Sequence, residues 1–163
     1  MTQSPITLEP TLERALAIDL FNHVWDLLDR NDRTQPEDDD MVHSVHASCY
    51  HWSRVGGPEQ FAIGEWQCSR VYAVLGHGQE AMHHAQRCLQ ICTEAGFDNY
   101  IPASAHEAIA RAWCVLGDFD AARQERNIAY GLAVDLDDDD RGVIESDLAT
   151  LPIPLDEQRS PHA

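Results

Sequence analysis

Two segments, YAVLGHGQEA at residues 72–81 and WCVLGDFDAA at residues 113–122, repeat one pattern. Each begins with an aromatic residue, continues to Leu-Gly, and has an alanine five residues after the glycine. Glycine permits a tight turn between two helices, and the alanine lets the second helix pack closely against the first. Gly76 and Gly117 are about forty residues apart, so the pattern predicts a repeated helix-turn-helix unit.

Helical periodicity extends in both directions from these segments, whereas a sustained period-two alternation is absent. Glycines, prolines and acidic runs divide it into seven predicted helices. The second of these helices should start within residues 37–40 and end at residue 55. The approximate bounds of the others are 12–29, 59–75, 79–95, 102–116, 119–134 and 141–151. We expect one all-α domain at residues 1–155, with a degenerate first hairpin at 11–55, repeats at 59–95 and 102–134, a capping helix at 141–151, and a polar tail at 156–163.

The repeated pattern resembles the tetratricopeptide family, most clearly over residues 59–134. The resemblance implies a right-handed stack of helical hairpins, six or seven helices in all, and a surface that binds a protein or peptide. The spacing is longer than in that family, and the usual proline at the end of each unit is missing. The strings HASCYHW (46–52) and GEWQCSRVY (64–72) also resemble a group of small bacterial repeat proteins of unassigned function.

Composition limits the possible classes of function. The formal net charge of −17 leaves no basic surface for nucleic acid and disfavours anionic membranes. No stretch approaches the roughly 20 apolar residues of a membrane span, and the first residues lack the basic and apolar regions of a signal peptide. We therefore expect a cytoplasmic protein whose five cysteines are reduced and mostly buried.

The second predicted helix has two distinct stripes. Its apolar stripe consists of Met41, Val45, Cys49 and Trp52. Its polar stripe consists of Asp39, His43, His46, Tyr50 and Ser53. A carboxylate, two imidazoles and a phenol along one line indicate that a polar group lies against this helix.

The third predicted helix is apolar on nearly every side, which is typical of a central, buried helix. It nevertheless carries Glu65 and Arg70. A buried charge is costly unless it is paired or binds a metal or ligand. Each of the two charges therefore has a structural ion-pair partner, Arg126 for instance, or belongs to a functional site.

One functional hypothesis is a metal site, with or without catalysis. His43 and His46 are three residues apart on one helix face, so both rings can reach one ion. With Glu65 they form a two-histidine, one-carboxylate set that suits one transition-metal ion, zinc or iron. His84 would be a further ligand or a general base.

A cofactor-independent version of this hypothesis uses the same residues as an acid–base pocket for a small molecule. The catalytic candidates are then Glu65, His84 and Tyr50, and Arg70 would orient an anionic substrate. Other polar residues have ordinary structural explanations. His106 faces inward and fits a core histidine with a satisfied hydrogen bond, and Glu107 with Arg111 fits an exposed surface pair.

The other functional hypothesis is a binding module, which the predicted fold itself favours. The partner would be a protein, a peptide or a small molecule, and a homodimer is also compatible with the sequence. The sequence leaves open whether the chain is an enzyme. The residues expected to contact a ligand are Tyr50, Trp52, Trp66, Arg70, Tyr72 and His106.

Overall fold

Prolines and glycines set the ends of most helices in residues 7–154, the part of the chain that the computed structural model describes. Four of the helices have proline in the first turn, where its missing N–H has no helical partner to lose. Gly76 and Gly117 end helices with φ of +79° and +85°, which side chains strongly disfavour. The helices are α1 (Pro10–Leu28), α2 (Gln35–Val55), α3 (Pro58–Val74), α4 (Gly78–Ala95), α5 (Ile101–Leu116), α6 (Phe119–Ala133) and α7 (Asp138–Ala149).

The all-α fold with seven helices is confirmed for the described residues, which contain no strand. Helices α2 and α7 begin earlier than predicted: α2 begins at Gln35 and not within 37–40, and α7 begins at Asp138 and not near Arg141. The Asp137 side chain accepts a hydrogen bond from the Asp140 N–H, so the acidic run starts the helix. The predicted polar tail at 156–163 lies outside the described residues.

Consecutive helices pack as neighbours, and α3 is central because it also contacts α1 and α5. The backbones of the odd-numbered helices approach one another in the order α1, α3, α5 and α7. Within residues 7–154, no two even-numbered helices bring their backbones together in this way. The molecule therefore has an inner layer of odd-numbered helices and an outer layer of even-numbered ones.

Small residues permit the close packing of these layers. A Cβ atom on Gly64 of α3 would lie 3.1 Å from the Cys49 Sγ of α2, so this position accommodates little more than hydrogen. Ala81 and Ala122, the alanines of the repeated pattern, are both fully buried. None of the helices in residues 7–154 combines the length and apolar character needed to cross a membrane.

Candidate functional site

Helix α3 carries polar and aromatic side chains on two opposite sides. Glu65 and Tyr72, one on each side of Cys68, form hydrogen bonds to α4 and α2. Trp66 and Arg70 instead face the inner layer, where Arg70 reaches α5 and α7. A helix with a period of 3.6 residues separates these two sets by about half a turn.

On the outer side, three aromatic rings from α2, α3 and α4 meet. The Tyr72 hydroxyl lies 2.9 Å from the Nε2 atom of His46. The Tyr72 ring stacks on His84 with 5.5 Å between ring centroids and 4° between planes, and the His46 and His84 centroids are 5.3 Å apart. Two of the predicted metal ligands, His46 and His84, are thus brought together although 38 residues separate them in the sequence.

Glu65 of α3 also belongs to this group, through its contact with His84. Only 8% of the residue is exposed, and its Oε2 lies 2.7 Å from the His84 Nδ1. Its partner is therefore His84, and not Arg126 as the sequence allowed. The contact fixes the orientation of the imidazole and leaves Nε2 as the nitrogen that can bind something else.

Cys68 is the residue of this group that the sequence analysis did not predict. Its thiol is fully buried, and one ligand atom from each of His46, Cys68 and His84 lies within 4.8 Å of the other two. A hydrogen bond with the Cys49 thiol, burial, and the nearby charge of Glu65 hold the pKa of Cys68 well above its usual range. We call His46, Glu65, Cys68, Tyr72 and His84 the histidine cluster.

The environment of the cluster favours neutral rings. The pKa of His46 is lowered, mainly because part of its ring loses water against its neighbours and because His84 is close. Glu65 acts in the opposite direction but does not prevail. Burial raises the pKa of Tyr72, so its hydroxyl keeps its proton. A neutral imidazole at His46 and a protonated phenol at Tyr72 provide hydrogen bonds and a lone pair without adding charge.

The order Cys68, His84, Glu65 resembles a nucleophile, a base and the acid that orients the base. A nucleophile must be reachable and easily ionised, however. Cys68 has no exposed surface, and its thiol pKa is raised. This arrangement therefore does not suit covalent catalysis at sulfur.

A second pair of the same kind occurs in the next hairpin. The His106 Nδ1 lies 2.7 Å from the Glu125 Oε2. A shift of 41 residues, the separation of Gly76 and Gly117, places Glu65 on the position of His106 and His84 on that of Glu125. The prediction of a satisfied histidine at 106 is confirmed, and the repeat would have predicted both pairs.

The two hairpins differ around their pairs. The same shift of 41 residues matches Cys68 with Ile109 and Tyr72 with Trp113. The second hairpin thus keeps the bridge between helices but has neither the thiol nor the phenol. Of the two pairs, the one formed by Glu65 and His84 is therefore the one with a thiol and a phenol at these positions.

On the inner side, a buried ionic network joins α3, α5 and α7. Arg70 lies 3.2 Å from Glu107 and 2.6 Å from Asp147, and Arg111 donates to the same Glu107 oxygen over 2.8 Å. Glu107 and Arg111 do form the expected pair, but the expectation that this pair is exposed is wrong. Glu107 is only 1% exposed because α7 covers it, as the contacts of Asp147 show. Arg70 therefore has the structural ion-pair partners that the sequence allowed, and they are Glu107 and Asp147.

Next to this network, side chains mainly from the odd-numbered helices line two adjoining apolar cavities of about 170 and 120 Å³, which share Phe21 and Ile63. Large apolar side chains remain open to solvent there, with Ile18 at 45% and Val143 at 60% exposure. Burial and the carboxylates of Glu59 and Asp140 raise the pKa of Tyr100 at one end. We call this surface the odd-helix groove; its defining residues are Ile18, Phe21, Ile63, Trp66, Tyr100 and Val143.

The other residues predicted as ligand contacts lie apart from one another. Trp52 lines the smaller cavity, but Tyr50 is 58% exposed beneath the Arg54 guanidinium, outside both cavities. His43 is exposed one turn from His46. Of the residues predicted for a single interior pocket, the structure therefore unites only those of the histidine cluster.

Residues 7–154 form seven helices in which neighbours along the chain pack together, an architecture that is compatible with a helical-repeat protein. It carries two separate candidate sites, the histidine cluster on the outer side of α3 and the odd-helix groove on the inner side. No protein-family profile, no curated protein and no solved structure matches the chain.

Proposed function

We propose that this chain is a helical-repeat binding module of the tetratricopeptide type. Its ligand would be a peptide that alternates apolar side chains with lysine or arginine. The observation that carries the proposal is the odd-helix groove, two adjoining apolar cavities on the layer of α1, α3, α5 and α7. Stacked helical hairpins provide extended surfaces of this kind for partners.

The apolar lining supports a ligand with apolar side chains. Val143 and Ile18 lose hydrophobic stabilisation by remaining exposed, and exposed apolar surface that borders a cavity is typical of binding sites. Phe21 and Trp66 line the same surface and are of the residue types that dominate interface energies. A ligand that covers this surface would bury these apolar side chains and so gain hydrophobic stabilisation.

The charges around the groove favour a cationic ligand. Glu59 and Asp140 lie close enough to Tyr100 to raise its pKa, and Asp147 lines the larger cavity. The whole chain carries a formal charge of −17, which attracts basic partners and repels acidic ones. A peptide with lysine beside its apolar residues satisfies both conditions.

Two synthetic peptides with identical apolar residues test this proposal. One carries lysines between them and the other carries glutamates, and binding of each is followed by fluorescence anisotropy. We expect only the lysine peptide to bind, with an affinity that falls as salt is added. Equal binding of both peptides, or binding of neither, would contradict the proposal.

Matched variants locate the binding surface. Val143→Arg places a bulky cation in the groove, whereas Val134→Arg changes a similarly exposed valine at the end of α6. We expect the first to weaken binding at least about tenfold, roughly 1.4 kcal/mol, and the second to have little effect. If Val143→Arg instead abolishes a dimer seen by analytical ultracentrifugation, the groove binds a second copy and the peptide proposal is wrong.

A further inference from the structure

We propose that His46, Cys68 and His84 bind a single Zn²⁺ ion and that Glu65 positions His84 for this role. This site is independent of the odd-helix groove, because it lies on the opposite side of α3. Its three ligands come from α2, α3 and α4, so the ion would join two hairpins. The ligand set differs from the one expected from the sequence, since Cys68 takes the place of His43 and Glu65.

The three side chains are close to the spacing that zinc requires. One ligand atom from each lies within 4.8 Å of the others. Bond lengths of about 2.0–2.3 Å place tetrahedral ligands roughly 3.5 Å apart, so the atoms must approach one another by up to about 1.3 Å. His46 is exposed and His84 is half-buried, so both rings have room to rotate towards an ion.

The chemistry of the donors selects the metal. A metal ion that coordinates a thiol displaces its proton, so Cys68 would become a thiolate only when the ion binds. Two imidazoles and one thiolate suit zinc, a borderline-soft ion, better than they suit iron(II) with its preference for two histidines and a carboxylate. The nearest carboxylate, Glu65, is already bonded to His84 through Oε2. The structure therefore favours zinc over the iron that the sequence left open.

In each imidazole, one ring nitrogen contacts an oxygen atom of a neighbouring side chain. His84 uses Nδ1 to contact Glu65, and His46 uses Nε2 to contact Tyr72. This leaves His84 Nε2 and His46 Nδ1 for the metal. Histidine ligands in metal sites are oriented in this way by a carboxylate or another oxygen on their second nitrogen.

Three protein ligands leave one coordination position for water or a small molecule. Zinc sites with three protein ligands and one open position are those that act on substrates, whereas structural sites are closed by four. His46 is exposed at the edge of the cluster while Cys68 is buried. An exogenous ligand would therefore approach from the side of His46.

Titration of the full-length, chelator-treated protein tests the proposal. Zn²⁺ binding is measured by competition with a chromophoric chelator, and Co²⁺ is added separately as a spectroscopic probe. We expect one equivalent of Zn²⁺ to bind, and Co²⁺ to give the near-ultraviolet absorption of a thiolate–cobalt bond. The cobalt spectrum reports sulfur ligation in the unmodified chain, so it does not depend on any variant folding.

Variants then identify the ligands. Glu65→Gln should weaken Zn²⁺ binding about 10- to 100-fold, as loss of an orienting partner does, and Cys68→Ser and His84→Ala should weaken it further. His106→Ala removes a histidine from an equivalent pair, and Cys114→Ser removes a buried thiol elsewhere, so both should bind Zn²⁺ normally. Absence of one-equivalent binding, absence of the thiolate band, or unchanged affinity in Cys68→Ser would overturn the proposal.

Discussion

Three carboxylates in residues 7–154 are buried, and each is matched by a cationic or imidazole side chain. Glu13 lies 2.5 Å from Arg54, Glu65 contacts His84, and Glu107 contacts Arg70 and Arg111. The pairing is expected because an unpaired buried charge is expensive. At Glu13, burial alone would raise the pKa, but the hydrogen bonds from His51 and Arg54 outweigh it and the pKa is lowered.

The first prediction concerns Glu107. Glu107→Gln would leave the Arg70 and Arg111 guanidiniums without their shared anion, and breaking a buried pair from one side typically costs roughly 3–5 kcal/mol. We expect a loss of that size in the free energy of unfolding, measured by urea titration. Glu94→Gln, at an exposed position on α4, should change stability by less than about 0.5 kcal/mol. A loss at Glu107 no greater than the loss at Glu94 would show that the network contributes little.

At this scale the sequence predicted some side-chain environments and not others. The polar stripe of α2 correctly placed His46 against a polar neighbour, because periodicity shows which side of a helix a residue occupies. It does not show what covers that side. Glu107 was therefore expected on the surface, although α7, some forty residues later, buries it. Cys68 was assigned to core packing for the same reason.

At the scale of a single helix, the N-terminus of α2 is a capping box. The Glu37 carboxylate accepts hydrogen bonds from the Thr34 N–H, from Arg30 and from the Thr34 hydroxyl. These contacts, the backbone one foremost, lower the pKa of Glu37 from its ordinary 4.5 to about 2. Hydrogen bonds donated to the carboxylate favour its ionised form, so the cap is stronger when Glu37 is charged.

The second prediction is a pH dependence of stability from this cap. Because the folded-state pKa is depressed, Glu37 stabilises the fold fully above pH 4.5 and progressively less as the pH falls towards 2. Glu37→Gln should therefore be less stable than the original chain at neutral pH, with a difference that shrinks as the pH falls through this window. Urea titrations at several pH values measure it, and Glu145→Gln on the exposed side of α7 is the control. A difference independent of pH would contradict this role.

The third prediction uses the exchanged order of the two histidine–glutamate pairs. Glu65→His alone places two imidazoles together, and His84→Glu alone places two carboxylates together, so each should destabilise the hairpin of α3 and α4. The double variant recreates the order of His106 and Glu125 and should recover much of the loss. A double-mutant cycle should give a coupling free energy within about 0.5–3 kcal/mol. If the two losses simply add, the pair does not bridge the helices in solution.

Helix order was predictable at the scale of the whole molecule, because glycines, prolines and periodicity divide the chain without reference to distant contacts. The arrangement of the hairpins relative to one another was less predictable. The odd-numbered helices meet one another across hairpins, and Arg70 reaches Asp147 at a separation of 77 residues. Such contacts depend on how all units stack, which no local pattern specifies. The odd-helix groove, built from four helices, was for this reason not predicted residue by residue.

The fourth prediction follows from the charge of the whole chain. A formal charge of −17 on a small fold produces self-repulsion that opposes compaction. Salt shortens the screening distance from about 30 Å at 0.01 M to about 8 Å at 0.15 M, so sodium chloride should raise the melting temperature over this range. The exposed ion pairs contribute little each, so their screening should not reverse the effect.

A double variant separates repulsion between distant charges from effects of local pairs. Asp19→Asn with Asp26→Asn removes two negative charges from exposed positions on α1 and leaves the buried network of Glu107 intact. We expect a higher melting temperature at low salt and a smaller increase on adding salt, as measured by calorimetry. If salt instead lowers the melting temperature of the original chain, ion pairs such as those of Arg33 and Arg54 dominate the electrostatics. The net charge would then matter for the choice of partner but not for the stability of the fold.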